Sequence, residues 1–214
     1  MNRLPHHTSR HRILQAAPVT ALLLAGLFLV WALVGETLAG SPSKVRAAYF
    51  KKLGVTPIAR IAPPVDLSLE DLSGRTWRLS DLKGKVIFIN FWASWCGACV
   101  LEMPAMQGLH EHLKDRDFVM LAVDLQEPPG QVKRFLDIYK LTFTALLDKD
   151  GEVSRSFGIR SIPTTFIIDK DGAMIGKALG PRDWNHSDSR ALFEHLMAEE
   201  PARRLKAQQA EKDH

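Results

Sequence analysis

The chain has 214 residues, 46% of them hydrophobic and 24% charged, with a formal net charge of +4. Residues 1–35 carry +3, residues 36–59 carry +3 and residues 201–214 carry +2, which leaves 60–200 at −4. The basicity lies in the appendages, and a mildly acidic core offers no phosphate-binding surface, which excludes nucleic acid as the partner.

Residues 1–15 form a basic N-terminus with Arg3, Arg10 and Arg12 and no acid. Ala16 to Gly35 is apolar except for Thr20, and about 20 apolar residues are what a helix needs to cross the hydrocarbon core. Signal-peptide apolar regions are shorter, about 7–15 residues, so 16–35 is expected to be a transmembrane signal anchor rather than a cleaved signal. Thr37-Leu38-Ala39 nevertheless ends in a pattern that a signal peptidase could accept. A basic N-terminus on a single span favours the N-terminus inside. The remaining chain is then expected on the periplasmic, extracytoplasmic side of the cytoplasmic (inner) membrane, where disulfides persist.

Residues 36–59 read as a spacer. Gly40-Ser41-Pro42-Ser43 is a break, and Lys44–Leu53 is a short amphipathic helix expected to rest near lipid head groups. Pro57 and Pro63-Pro64 form a second break. The folded domain is expected over 60–200, with a polar tail over 201–214.

Within that domain, Val65–Leu69 and Arg75–Leu79 read as an N-terminal β-hairpin around Leu72-Ser73-Gly74. Ser80–Gly84 reads as one helical turn with a Ser cap and a Gly stop. Val86–Trp92 is apolar except for Asn90, as a strand buried on both faces should be. Cys96 to about Asp115 is helical, with Leu101, Met106, Leu109 and Leu113 set toward the core. Phe118–Leu125 is a second buried strand, Gln131–Lys140 an amphipathic helix, Phe143–Leu147 a strand and Glu152–Phe157 a short helix. Thr164–Asp169 and Met174–Leu179 are strands joined by the turn Lys170-Asp171-Gly172, and Ser187–Glu200 is the last helix. This order makes an α/β sandwich, a central mixed β-sheet flanked by helices.

Trp95-Cys96-Gly97-Ala98-Cys99 holds the only two cysteines, at the junction of a buried strand and a helix. Two thiols so spaced can close a small reversible disulfide. Unpaired N–H groups and the helix dipole stabilise a thiolate at a helix start, so Cys96 is the attacking thiol and the more buried Cys99 resolves the mixed disulfide. A structural disulfide over so short a loop would stabilise little, and a zinc site needs about four ligands. Trp92 and Trp95 flank the pair and are expected to pack around Cys96 as an apolar contact surface. Ile162-Pro163-Thr164 opens a strand, where the Ile162 backbone could pair with a substrate strand. Pro104 falls inside the active-site helix. Glu102, one turn beyond Cys99, faces either the buried thiol, whose proton it could shuttle, or solvent.

Together, Ile89–Cys99, Glu102-Met103-Pro104 and Ile162–Phe166 resemble the thioredoxin fold, and more narrowly the TlpA/ResA group of membrane-anchored thiol-disulfide oxidoreductases. The resemblance covers about residues 60–200 by element order. It implies a cis Pro163, an active-site role for Glu102, and Asn90 where cytosolic thioredoxin has an aspartate. It also implies that Gln126–Leu147 is an inserted helix and strand. It further implies a membrane electron donor of the DsbD/CcdA type, and apocytochrome c or copper-assembly proteins as substrates. Gly97-Ala98 lacks the proline of many relatives, which leaves the potential open, so that a disulfide-forming oxidant stands as an alternative.

A thiol-based copper metallochaperone is a second alternative, since copper(I) accepts two soft ligands. A peroxide-reducing enzyme would want a threonine and a proline just ahead of a lone cysteine, and Ala93-Ser94-Trp95 offers neither. Asp148–Gly151 and Asp169–Gly172 lack the alternating acids of a calcium loop. No flavin, nicotinamide or phosphate-cradling motif is present, so no cofactor and no metal are expected, and electrons must come from another protein. The candidate site residues are Cys96, Cys99 and Glu102 for catalysis, with Trp95, Ile162 and Pro163 for substrate.

Overall fold

The computed structural model describes residues 42–63 and 65–201. The expected basic N-terminus 1–15, the transmembrane segment 16–35 and residues 202–214 lie outside the described residues. No helix among the described residues is long and apolar enough to cross a membrane.

The elements run α1 (Pro42–Leu53), β1 (Thr56–Ile61), β2 (Ser68–Asp71), β3 (Thr76–Arg78), a 3₁₀ turn (Leu79–Leu82), β4 (Val86–Trp92) and α2 (Gly97–Leu113). They continue with β5 (Phe118–Leu125), α3 (Pro129–Tyr139), β6 (Thr144–Asp148), α4 (Glu152–Ser156), β7 (Thr164–Ile168), β8 (Met174–Leu179) and α5 (Ser187–Ala198). One mixed sheet runs in the order β1-β8-β7-β4-β5-β6-β2-β3. The strands β4, β5 and β6 are parallel, and β7 joins β4 antiparallel.

The centre of the sheet follows from the apolar run of β4, which is buried along its whole length. Side chains alternate across a strand. Val86, Phe88 and Trp92 enter the core that also holds Met103, Met106, Leu109 and Phe193, while Ile87, Ile89 and Phe91 enter the other with Leu121, Val123 and Phe157. Asn90 shares the face of Phe88 and Trp92 and is fully buried, so β4 sends one polar side chain under α2.

The structure corrects the expectations in four places. Among the described residues, Pro42–Leu53, read as part of the spacer, is a helix in the same compact unit as the strands. The helix read as a spacer packs on α5, with Arg46 paired to Glu199 at 2.9 Å and Lys52 to Asp188 at 3.0 Å. Its Phe50 is buried over Gly176, where an added Cβ would stand 2.9 Å from the ring. The presumed break at Pro57 lies in β1, which pairs antiparallel with β8. Proline is tolerated there because, among the described residues, β1 is an edge strand whose other side makes no ladder.

Leu101 is 77% exposed rather than set in the core; Cys99, Glu102 and Met103 take the inward face of the first turns of α2. The turn after β3 begins at Leu79, so Ser80 lies inside it and does not cap it, and the Ser80 backbone N–H donates to Asp66 Oδ1 at 2.9 Å. The hairpin β2–β3 exists as expected and extends the sheet by pairing with β6.

Candidate active site

The strand β4 ends at Trp92, and after four residues the chain enters α2 at Gly97. Cys96 is the N-cap of that helix, and its Sγ accepts the Cys99 backbone N–H at 3.1 Å. Cys96 and Cys99 are joined by a disulfide. Cys96 keeps 8% of its surface exposed and Cys99 none, so only Cys96 meets an incoming partner. No acid stands in the first turn of α2, which leaves the positive end of the helix dipole uncompensated beside Cys96.

Ile162 and Pro163 lie against this pair. Their peptide bond is cis, and the Ile162 carbonyl oxygen is 3.8 Å from Cys96 Sγ. Trp95 is 68% exposed next to Cys96. Trp92, expected beside it at the surface, is instead buried against Phe135, with ring centroids 4.9 Å apart. The apolar surface near the cysteines therefore comes from Trp95 and Leu101.

Glu102 is 1% exposed. Asn90 Nδ2 donates to its Oε1 at 2.8 Å, while Trp184 Nε1 and the Arg182 backbone N–H donate to its Oε2 at 3.0 and 3.1 Å. Burial pushes the Glu102 carboxyl up to about 7, against the opposing pull of these three donors and of the Arg182 charge. A carboxyl tuned to neutrality, one helical turn from a buried thiol, can both take and return a proton. The spacing alone left open whether Glu102 faces inward; the burial decides it. A groove of about 320 Å³ between α2 and the loop 180–184 is lined by Leu101, Pro104, Arg182 and Asp183 and reaches Glu102.

A second buried acid group escaped the sequence reading. Glu127 Oε2 accepts the Ser94 backbone N–H at 2.5 Å, and its Oε1 accepts the Ser94 hydroxyl at 2.6 Å and the Gln131 amide. Its own N–H donates to Asp124 Oδ1 at 3.1 Å. Burial, with Glu127 and Asp148 nearby, holds the Asp124 carboxyl above the usual range. The one available signal was an aspartate inside the apolar run Phe118–Leu125, since buried acids are rare without partners. Gln126, at φ 61, turns the chain back toward Ser94. No cluster of His, Cys, Asp or Glu among the described residues is placed to hold a metal ion.

Residues 58–176 match the AhpC/TSA family. The chain is 36% identical over 123 residues to the thiol-disulfide oxidoreductase ResA of Geobacillus thermodenitrificans, covering 58% of this chain and 66% of that one. It is 40% identical over 129 residues to the thioredoxin-like protein YneN of Bacillus subtilis, covering 59% of this chain and 71% of that one. The structure superposes on a thiol:disulfide interchange protein of the thioredoxin family from Chlorobium tepidum with a TM-score of 0.58 and 26% identity, covering 66% of this chain and 99% of that one. Against three ResA proteins, the matched region spans 66%, 57% and 48% of the relative's length. With the helix-capping cysteine pair, the adjoining proline turn and the matched residues in hand, the chain belongs to the AhpC/TSA family, has a thioredoxin-like fold and is similar to the ResA proteins.

Proposed function

We propose that this chain is a thiol-disulfide oxidoreductase that reduces disulfides in other proteins. The observation that carries the reading is Cys96 at the N-cap of α2, with Cys99 buried behind it and Glu102 enclosed one turn further. In the reduced protein, the Cys96 thiolate attacks one sulfur of a substrate disulfide. A Cys96–substrate bond forms, the substrate bond breaks, and the other substrate sulfur leaves as a thiolate that takes a proton from water. Cys99 then gives its proton to the Glu102 carboxylate and attacks Cys96 Sγ. This step forms the Cys96–Cys99 disulfide and releases the second substrate thiolate. Two electrons pass from the cysteine pair to the substrate, and a dithiol donor must return them.

The Ile162 backbone and the exposed Trp95 beside Cys96 support an extended polypeptide as substrate. The apolar, acid-free segment 16–35 supports anchoring in the cytoplasmic membrane with the domain on the periplasmic side. The resemblance to the TlpA/ResA group supports the reducing direction, a donor of the DsbD/CcdA type, and apocytochrome c or copper-assembly proteins as substrates.

The test is the midpoint potential of Cys96–Cys99, read by equilibration with glutathione or dithiothreitol. A value near about −270 mV or below is that of a reductant. A value near about −120 mV is that of a disulfide-forming oxidant and reverses the direction proposed. Cys96→Ser is expected to abolish disulfide reduction in insulin; activity that survives it sinks the mechanism.

A further inference from the structure

The loop between β8 and α5 does two jobs through Arg182. Its backbone N–H donates to Glu102 Oε2 at 3.1 Å. Its guanidinium faces away and meets four carbonyl oxygens: Leu53 at 2.8 Å, Gly54 at 2.7 Å, Leu179 at 2.7 Å and Gly180 at 2.8 Å. Leu53 and Gly54 end α1, where unpaired carbonyls and the negative end of the helix dipole attract a cation. Leu179 and Gly180 end β8, and the Gly180 N–H donates to the Pro163 carbonyl at 2.9 Å. One planar fork thus binds the last turn of α1, the end of β8 and the loop that caps the active-site carboxyl.

We infer that Arg182 is a positioning residue for the Glu102 carboxylate, and that the docked end of α1 is part of what positions it. The inference rests on the proposed role of Glu102 as proton acceptor for Cys99. Two of the three donors to Glu102, the Arg182 N–H and the Trp184 indole, lie on this loop. Both stabilise the charged carboxylate, as does the Arg182 charge. Asp183, which lines the same groove, is the other charged side chain on that wall. Release of the guanidinium frees the loop, and the carboxylate loses donors while it stays buried. Lysine cannot replace the fork, since a point charge has three donors and no fixed plane.

The experiment is the titration of the Glu102 carboxyl carbon by NMR in the full-length protein, for wild type, Arg182→Met, Arg182→Lys and Gly54→Ala. Gly54 has φ +60, where a side chain strains the backbone whose carbonyl the fork binds, so that substitution shifts the docked end of α1 without touching the site, and the added Cβ itself would only make ordinary contact 3.4 Å from the Arg182 guanidinium. All three variants are expected to titrate higher than wild type, with Arg182→Met shifted by about half a pH unit or more. If Arg182→Met does not fold, the other two carry the test. An Arg182→Lys protein that titrates as wild type reduces the effect to charge and overturns the positioning role. A Gly54→Ala protein that titrates as wild type overturns the part assigned to α1. The readout needs no turnover, so reductase activity that survives Cys96→Ser sinks the proposed function, whereas the Glu102 titrations of the Arg182 and Gly54 variants decide the positioning role.

Discussion

Asn90 Nδ2 donates to Glu102 Oε1 at 2.8 Å inside the protein, and the same nitrogen reaches Thr165 Oγ1 at 3.0 Å. The central strand, the active-site helix and the strand that follows the cis proline thus meet at one amide. An amide at position 90 donates without adding charge, which leaves Glu102 as the carboxyl that titrates there. Asn90→Asp would place a second carboxyl against it. Two carboxyls that close cannot both ionise, so one is raised strongly. The pH at which mixed-disulfide resolution reaches half its maximum is expected to rise above its wild-type position. An unchanged profile in stopped-flow tryptophan fluorescence would remove Asn90 from the tuning.

Glu102→Gln tests the acid itself. The wild-type rate of resolution is expected to climb through about pH 7, where Glu102 becomes the carboxylate that accepts the Cys99 proton. In Glu102→Gln that limb should disappear and resolution should slow by about 100-fold at neutral pH. Attack by Cys96 should be nearly unaffected, because Cys96 is activated by the helix start. A mixed disulfide trapped with a cysteine peptide separates the two steps. Equal slowing of both would argue against a proton acceptor dedicated to Cys99.

The same residue links stability to pH. The Glu102 carboxyl is raised from 4.5 to about 7 in the folded state. Its stabilising contribution is therefore complete below about pH 4.5 and is lost as pH rises through about 7. That loss is expected to be at most about 3 kcal/mol. Glu102→Gln should flatten this part of the stability curve. Urea unfolding at a series of pH values checks it, and an unchanged slope between pH 4.5 and 7 would contradict the assigned burial.

The order of elements from β4 to α5 was legible because those segments are long and either wholly apolar or strongly periodic. The Leu101 error has the same root. Its helical face is decided by where Cys99 and Glu102 must point, and periodicity ranks leucine inward over glutamate. β1 was not legible, since Thr-Pro-Ile-Ala-Arg-Ile carries a proline and is mostly exposed along an edge. The docking of α1 rests on Phe50 and on the bareness of Gly176, two positions that only the fold brings together. In the site, Cys96, Cys99, Glu102, Ile162 and Pro163 stood out by motif. Glu127 did not, because an acid in a loop before two prolines carries no pattern.

If α1 belongs to the folded unit, Gly176→Ala must disturb it. The new Cβ would stand 2.8 Å from Val55 Cγ1 and 2.9 Å from Phe50 Cζ, both buried. Overpacking of this kind is expected to cost about 1–3 kcal/mol. Hydrogen exchange should show the loss first at α1 and β1, with the amides of β4 and β5 still protected. A variant as stable as wild type would mean that the α1 contact is soft.

Glu127 is expected to hold the chain leading to Cys96. It accepts from both the backbone N–H and the hydroxyl of Ser94, two residues before the nucleophile, and Gln131 closes the third side. Glu127→Ala removes the acceptor from donors that remain partly buried, which costs about 1–3 kcal/mol. It also frees the Ser94–Trp95 segment, so attack by Cys96 should slow. Asp124→Asn is the control. Burial and the neighbouring carboxylates favour the neutral form of Asp124, which an amide imitates, so this variant should keep near wild-type stability at neutral pH. If Asp124→Asn were as damaging as Glu127→Ala, the ionised form of Asp124 would be the one the fold needs.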